Sequence, residues 1–263
     1  MFTKPTLACL QNERNNLFNS HTLVITPEME PRKPFHIENM RRNSKFSNQS
    51  YSLLDLDMIM ISDTFSAYTK RLFKPSINTK KPGNWKYLNR LCHQDDIYFN
   101  TETDILFYNI VMSLEIKQRK HIQLQYTRRL KNRHNTYDLY IIRVHVLECD
   151  ENGLPWLISI ETELMPEFKT TNFHPNRQFI LFNEADNVIE KRFVNESTNE
   201  LTHQELEVLT LACKGYKMKE MLSMLFIEEC TLKTHRSRIM EKLNAPSMEL
   251  ACIIARKLRL IEC

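Results

Sequence analysis

The chain has 263 residues, 42% hydrophobic and 26% charged, with 36 Lys and Arg against 32 Asp and Glu for a net charge of +4. That balance fits folded domains, one large or two of ordinary size, and excludes a disordered chain. With three glycines and neither G-x-x-x-x-G-K-[ST] nor G-x-G-x-x-G anywhere, the Gly-rich phosphate cradles are excluded as well.

No apolar run reaches the roughly 18 residues a membrane-spanning helix needs. The start, Met1-Phe2-Thr3-Lys4-Pro5-Thr6, meets polar Gln11-Asn12-Glu13-Arg14 too soon for a secretory leader. Cys9, Cys92, Cys149, Cys213, Cys230, Cys252 and Cys263 are odd in number and scattered, with no C-x-x-C pair. Neither a disulfide framework nor a structural zinc site is expected, and a reducing cytoplasm is the expected setting.

Residues 1–45 carry Pro5, Pro27, Pro31 and Pro34 and little periodicity, and are expected to form a loosely structured arm. Residues 46–165 read as a mixed α/β domain. Thr101 and Asp104 resemble a helix start, and Ile105, Tyr108, Met112 and Ile116 recur on one helical face. Ile122, Leu124 and Tyr126 alternate with polar residues, as do Tyr140, Ile142, Val144 and Val146, and then Trp156, Ile158 and Ile160. These are three half-buried strands, with Asp150-Glu151-Asn152-Gly153 as a turn between the last two. An antiparallel sheet with helices on one side is the predicted arrangement. Residues 166–198 read equally as a linker or as a strand extension.

Residues 199–263 read as helical throughout. Thr202 and Glu205 form a T-x-x-E capping box ahead of Val208-Leu209. Gly215 supplies the C-terminal cap. Met218, Met221, Leu222 and Leu225 line a second helix, and Phe226-Ile227-Glu228 breaks the chain before a third, from about Glu229 to Leu243. Projected at helical pitch, Leu232, Ile239 and Leu243 face the core. Lys233, Thr234, Ser237, Arg238 and Glu241 face away, a surface rich in donors for phosphates and base edges. Over 199–263 ten Lys and Arg stand against nine Asp and Glu, so affinity per subunit should be modest and binding dimeric.

The set Leu201-Thr202, Glu205, Glu207-Val208-Leu209, Ala212, Gly215, Lys219-Glu220, Leu225, Ile227, Thr231-Leu232-Lys233-Thr234-His235, Ile239 and Lys242-Leu243 closely resembles the LuxR/GerE-type helix-turn-helix. The resemblance implies a four-helix DNA-binding domain whose third helix enters the major groove. It places Lys233, Thr234 and Ser237 at base-reading positions and His235 and Arg238 nearer the backbone. The last helix, about Ser247 to Leu258, looks like the one through which family members dimerise. Gln204 departs from the family's usual Arg, and Lys217-Met218 from its small residue and Asn. Glu228 departs from its Ser and is a poor N-cap.

Leu91-Cys92-His93-Gln94-Asp95-Asp96, followed by a helix and three strands, resembles a PAS domain, a family of sensor or dimerisation modules some of which hold a ligand between sheet and helices. His93 and His121 are conceivable haem ligands but read better as surface or capping groups. Asp95 and Asp96 read as helix-entry acids. Glu161 and Glu163 read as solvent-facing, and Arg128-Arg129-Lys131-Arg133 as a solvated hairpin tip. No nucleophile–base pair stands out, so no enzyme, catalytic residue, metal site or cofactor is expected.

The expected fold class is α+β: a PAS-like domain followed by a small all-α four-helix domain. The expected partners are double-stranded DNA and a second copy of the chain, with RNA polymerase a further partner that regulators of this type admit and no membrane. The alternative is a protein–protein adaptor that docks through the helical domain.

Overall fold

The computed structural model describes residues 5–19, 22–56, 60–64, 90–170, 178–183, 188–193, 201–243 and 245–261. The chain divides into two compact units: Met1–Thr171 with Phe179–Arg192, and Asn172–Gln178 with Phe193–Cys263. The architecture is α+β. Among the described residues no helix is long and apolar enough to cross a membrane.

The first unit is built on an antiparallel sheet. Its strands are β1 (Gln49–Asp55), β2 (Met60–Thr64), β3 (Ile122–Lys131), β4 (Tyr137–Cys149), β5 (Pro155–Thr170), β6 (Gln178–Asn183) and β7 (Val188–Phe193), in the order β2-β1-β5-β4-β3-β6-β7. The β3–β4 and β4–β5 pairs are hairpins, and β1 returns to pair with β5. The 166–198 region thus continues the sheet through the end of β5, β6 and β7, while 171–177, 184–187 and 194–198 lie outside the described residues.

The N-terminal arm is helical, against expectation. Helix α1 (Leu7–Asn19) and helix α2 (Arg32–Phe46) account for most of it. The prolines start α2 rather than break it: Pro31 is its N-cap and Pro34 falls in its first turn, where backbone N–H groups have no intrahelical partner to lose. The helix expected near Thr101 begins earlier and ends earlier. Helix α3 spans Gln94–Ser113, and its N-cap His93 accepts the Asp95 N–H at Nδ1. Thr101 is wholly buried inside it, its hydroxyl returned to the Ile97 carbonyl at 2.8 Å. Ile116 belongs instead to a 3₁₀ segment, Ile116–His121.

Helices cover both faces of the sheet, not one. Phe18 of α1 and Phe107, Tyr108 and Val111 of α3 face Leu54, Val144, Ile158 and Ile160 around an internal cavity. Met40 of α2 and the nearby Met29 join Leu53, Trp156 and Leu157 in a separate cluster. Leu53 and Leu54 are neighbours on β1, so their side chains leave opposite faces.

Buried charges fix the joints. Asp96 and Arg129, 2% and 5% exposed, tie the start of α3 to β3. Asp96 accepts the Arg129 amide at 2.9 Å and its guanidinium at 2.6 and 3.0 Å. Asp96 is therefore more than a helix-entry acid, and Arg128 and Arg129 are buried rather than part of a solvated tip. The exposed tip is Arg133–Thr136. Arg119 donates to the Met112 and Leu114 carbonyls at 3.2 Å each and to Gly153, closing the C-terminus of α3 against the β4–β5 turn. Gly153 is required there: its φ is +80°, and a Cβ would sit 2.6 Å from Ile116. Glu161 and Glu163 do not simply face solvent, since both pair with Arg143, at 2.5 and 2.9 Å.

Removing Asp96 takes from the buried Arg129 guanidinium its 2.6 Å carboxylate partner. Asp96→Ala should cost about 3–5 kcal/mol of unfolding free energy, read from urea denaturation followed by tryptophan fluorescence. A loss below about 1 kcal/mol would contradict the joint assigned to this pair.

Candidate nucleic-acid interface

The second unit contains, among the described residues, helices α4 (His203–Cys213), α5 (Met218–Leu225), α6 (Glu229–Lys242) and α7 (Met248–Lys257). Local chemistry sets each boundary. At the head of α4 the Thr202 hydroxyl accepts the Glu205 N–H at 3.3 Å, and Glu205 Oε2 accepts the Thr202 N–H at 2.7 Å, a closed capping box. Gly215, at φ +87°, ends α4: its N–H reaches the Ala212 carbonyl, and the Tyr216 N–H the Leu211 carbonyl. Arg256 of α7 adds a donor to the Cys213 carbonyl. Helix α5 starts with the Lys217 N–H on Glu220 Oε2 at 2.6 Å and ends where Phe226 turns left-handed at φ 53°. Ile227 and Glu228 complete the break. Glu228 sits at the N-cap of α6 and makes no side-chain cap bond, as its extra length predicts. Ser247 caps α7 through the Leu250 N–H.

The inner face of α6 is Leu232, His235 and Ile239. Leu232 and Ile239 are fully buried, with Val208, Leu209, Met221, Ala251 and Ile254 in the same core. This leaves Lys233, Thr234, Ser237 and Arg238 exposed together on the outer face. His235 is not among them: it is 9% exposed, on the inner face.

The outer face carries internal competition that the residue count hides. Lys233 Nζ lies 2.6 Å from Glu229 Oε1, one helical turn earlier, with both side chains well exposed. Their hydrogen bond raises the Lys233 pKa and lowers that of Glu229. The Thr234 hydroxyl donates to the Cys230 carbonyl at 2.9 Å. Lys242 does not face outward at all. It lies 2.7 Å from Glu205 Oε2, with 17% and 1% of the two side chains exposed. Arg238 has no ion-pair partner among the described residues. A net count over 199–263 does not show the Glu229–Lys233 pair; a Glu four residues before a Lys on one helix is the spacing that signals it.

The side chains that sequence set aside as conceivable ligands have structural places in the first unit. His93 caps α3 and meets the Tyr137 ring edge-on, with ring centroids 4.6 Å apart. His121 ends the 3₁₀ segment on the surface.

Two short helices joined by a three-residue break, with a donor-bearing outer face on the second, make a helix-turn-helix. Residues 199–255 match the family model of bacterial regulatory proteins, luxR family (GerE), and this unit is a luxR-family helix-turn-helix domain. Among curated proteins, it is similar to the oxygen regulatory protein NreC of Staphylococcus carnosus, 39% identical over 70 residues, covering 25% of this chain and 32% of that protein. NreC of Staphylococcus epidermidis is 39% identical over 62 residues, covering 24% and 28%. The chain thus spans about a third of the length of these relatives. Among solved structures, it is similar to the Vibrio cholerae VqmA dimer (TM-score 0.31, 13% identity, 84% of this chain and 87% of that one). A phage VqmA–DPO complex gives 0.33, 13%, 86% and 88%, and Escherichia coli SdiA gives 0.26, 12%, 97% and 99%.

The Glu205 contacts set a pH dependence. Burial alone would raise its pKa, but the hydrogen bonds from Lys242 and Thr202 outweigh it and hold the carboxyl below its ordinary 4.5. A depressed folded-state pKa gives stability that is complete above the unfolded value and is lost as pH falls through the folded one. Helical unfolding, followed by circular dichroism, should therefore move to lower temperature between about pH 5 and about pH 3. Glu205→Gln should cost about 1–3 kcal/mol near neutral pH and flatten that dependence; an unchanged slope would contradict the assignment.

Proposed function

We propose that this chain is a LuxR-type transcription regulator that binds double-stranded DNA as a dimer and carries a PAS-like sensor or dimerisation domain at its N-terminal side. One observation carries the DNA-binding reading. Helix α6 buries Leu232, His235 and Ile239 and leaves Lys233, Thr234, Ser237 and Arg238 exposed together. In this proposal Lys233, Thr234 and Ser237 read base edges and Arg238 meets the phosphate backbone. His235, turned inward, positions the helix. Helix α7 leaves Ile253 40% exposed, which supports a second copy of the chain as its partner. Glu229 engages the Lys233 ammonium, so it competes with DNA for that side chain.

The sensor reading draws on the antiparallel sheet packed by α3, and on the cavity between them. An adaptor that docks on protein instead of DNA is the second reading. It draws on Phe226 and Met224, 93% and 48% exposed at the end of α5, and on the acidic Glu228 and Glu229 beside them.

The test is a titration of the full chain against duplex DNA at several salt concentrations. Lys233→Ala should weaken binding by about 1–3 kcal/mol. Arg238→Ala should weaken it evenly across sequences and lower the log–log salt slope by about 1. Glu229→Gln should strengthen it. Full affinity in the Lys233→Ala protein would overturn the recognition surface. Retention of a protein partner and of no duplex would favour the adaptor.

A further inference from the structure

We infer that the outer face of α2 pairs antiparallel with the same face of a second copy of the chain, about a two-fold axis midway between positions 40 and 41. This rests on the dimer of the proposed regulator and gives it a contact in the first unit, separate from α7.

Projected at about 100° per residue, Ile37, Met40 and Ser44 fall on one side of α2. Met40 and Ser44 are buried there, and Ile37 packs against the Leu53–Trp156–Leu157 cluster. Phe35, Asn39, Arg42 and Phe46 fall within about 60° of one another on the opposite side. All four are exposed, the two phenylalanines by 62% and 85%.

The symmetry of that stripe identifies what covers it. Phe35 and Phe46 stand equally far from the midpoint of the stripe, and so do Asn39 and Arg42. A two-fold axis through the midpoint therefore makes an isologous contact. Phe35 meets the partner's Phe46 at each end, the two aromatic pairs lying about 16 Å apart. Between them the Asn39 side-chain carbonyl faces the partner's Arg42 guanidinium. On the flank, Glu38 comes within about 3 Å along the axis of the partner's Lys45, close enough for an ion pair. A parallel pairing would instead set Arg42 against Arg42 and Lys45 against Lys45.

The charges agree with this register. Helix α2 carries Arg32, Lys33, Arg41, Arg42 and Lys45 against Glu38, an excess that would repel a second copy if every cation were free. Arg32 is paired with Glu148 at 3.0 Å, Lys33 with Asp55, and Arg41 with Glu38 at 2.6 Å. Arg42 and Lys45 have no ion-pair partner among the described residues. These two are the cations to which the antiparallel register brings an acceptor. The four rings withdraw on the order of 500 Å² from water. A contact of that size is weak alone and acts together with a second one.

The experiment measures the dimer dissociation constant of the full chain by sedimentation velocity, from low micromolar to the highest soluble concentration. Every side chain changed is exposed, and an unchanged melting temperature checks each variant's fold. Phe46→Ala should raise the constant about tenfold, since it removes two aromatic pairs per dimer. Glu38→Lys and Lys45→Glu should each raise it about fivefold. The two together should return it to within about twofold of the parent. Lys45→Glu is the discriminating variant. It lowers the positive charge of the helix, so simple relief of repulsion would tighten association where the register requires weakening.

An unchanged constant in Phe46→Ala, tighter association in Lys45→Glu, or a charge-exchanged double variant no better than the single ones would overturn the pairing. Association lost in Ile253→Glu and untouched by the α2 variants would overturn the pairing alone and leave the dimer reading standing. A chain that is monomeric throughout would overturn both.

Discussion

The Glu205 carboxylate accepts the Thr202 amide and the Lys242 ammonium, both at 2.7 Å, at a site where its side chain is 1% exposed. One acid therefore closes the head of α4 and grips the tail of α6. The rest of the helical unit depends on that grip. With the C-terminal end of α6 fixed and Leu232 and Ile239 buried beneath it, the outward direction of Lys233, Thr234, Ser237 and Arg238 follows from helical pitch alone. A recognition surface needs such preorganisation, because long side chains on a frayed helix lose in ordering entropy what they gain in contacts. Lys242 thus acts in support of the surface and adds nothing to its field. Within α6 the remaining cations Lys233, Arg236 and Arg238 stand against Glu229 and Glu241 in number, and Lys233 is paired with Glu229, so the surface is only mildly basic. That balance favours selectivity over indiscriminate phosphate binding.

The N-terminal unit uses the same device for another end. Asp96–Arg129 and the three carbonyls gathered by Arg119 set the two ends of α3 on the sheet. The helix is then held firmly enough to keep space beneath it. Arg14–Asp104 brings α1 over the same space. Asp96–Arg129 and Arg119 each meet a buried charge with several short hydrogen bonds, the condition under which it specifies geometry rather than weakening it.

The helical unit was legible in the sequence because its rules are local. Thr202-x-x-Glu205, Gly215 and the three-residue break at Phe226 act through neighbours within one or two turns, and the structure keeps them at those positions. The strand centres of β3, β4 and β5 were legible for the same reason, since alternation in Ile122–Tyr126 and Tyr140–Val146 is local too. The misses were long-range. The start of α3 depends on Asp96 meeting Arg129, 33 residues away, and no local period announces that. Arg128 and Arg129 looked solvated because charge normally is; their burial is set by partners on distant elements. Pro31 and Pro34 point to a loose arm when taken as composition, yet at a helix start proline is neutral or helpful. The family position of His235 implies an outward donor, while its spacing from Leu232 and Ile239 puts it on the buried face.

The central claim is that the outer face of α6 reads DNA sequence. The most direct measurement offers a fragmented genomic pool to the full chain and to its Lys233→Ala, Arg238→Ala double variant, and sequences what each retains. The account predicts enrichment of a two-fold symmetric motif with half-sites about one helical turn apart, lost in the double variant. Enrichment of the same motif by both proteins, or of none by the parent chain, would contradict it.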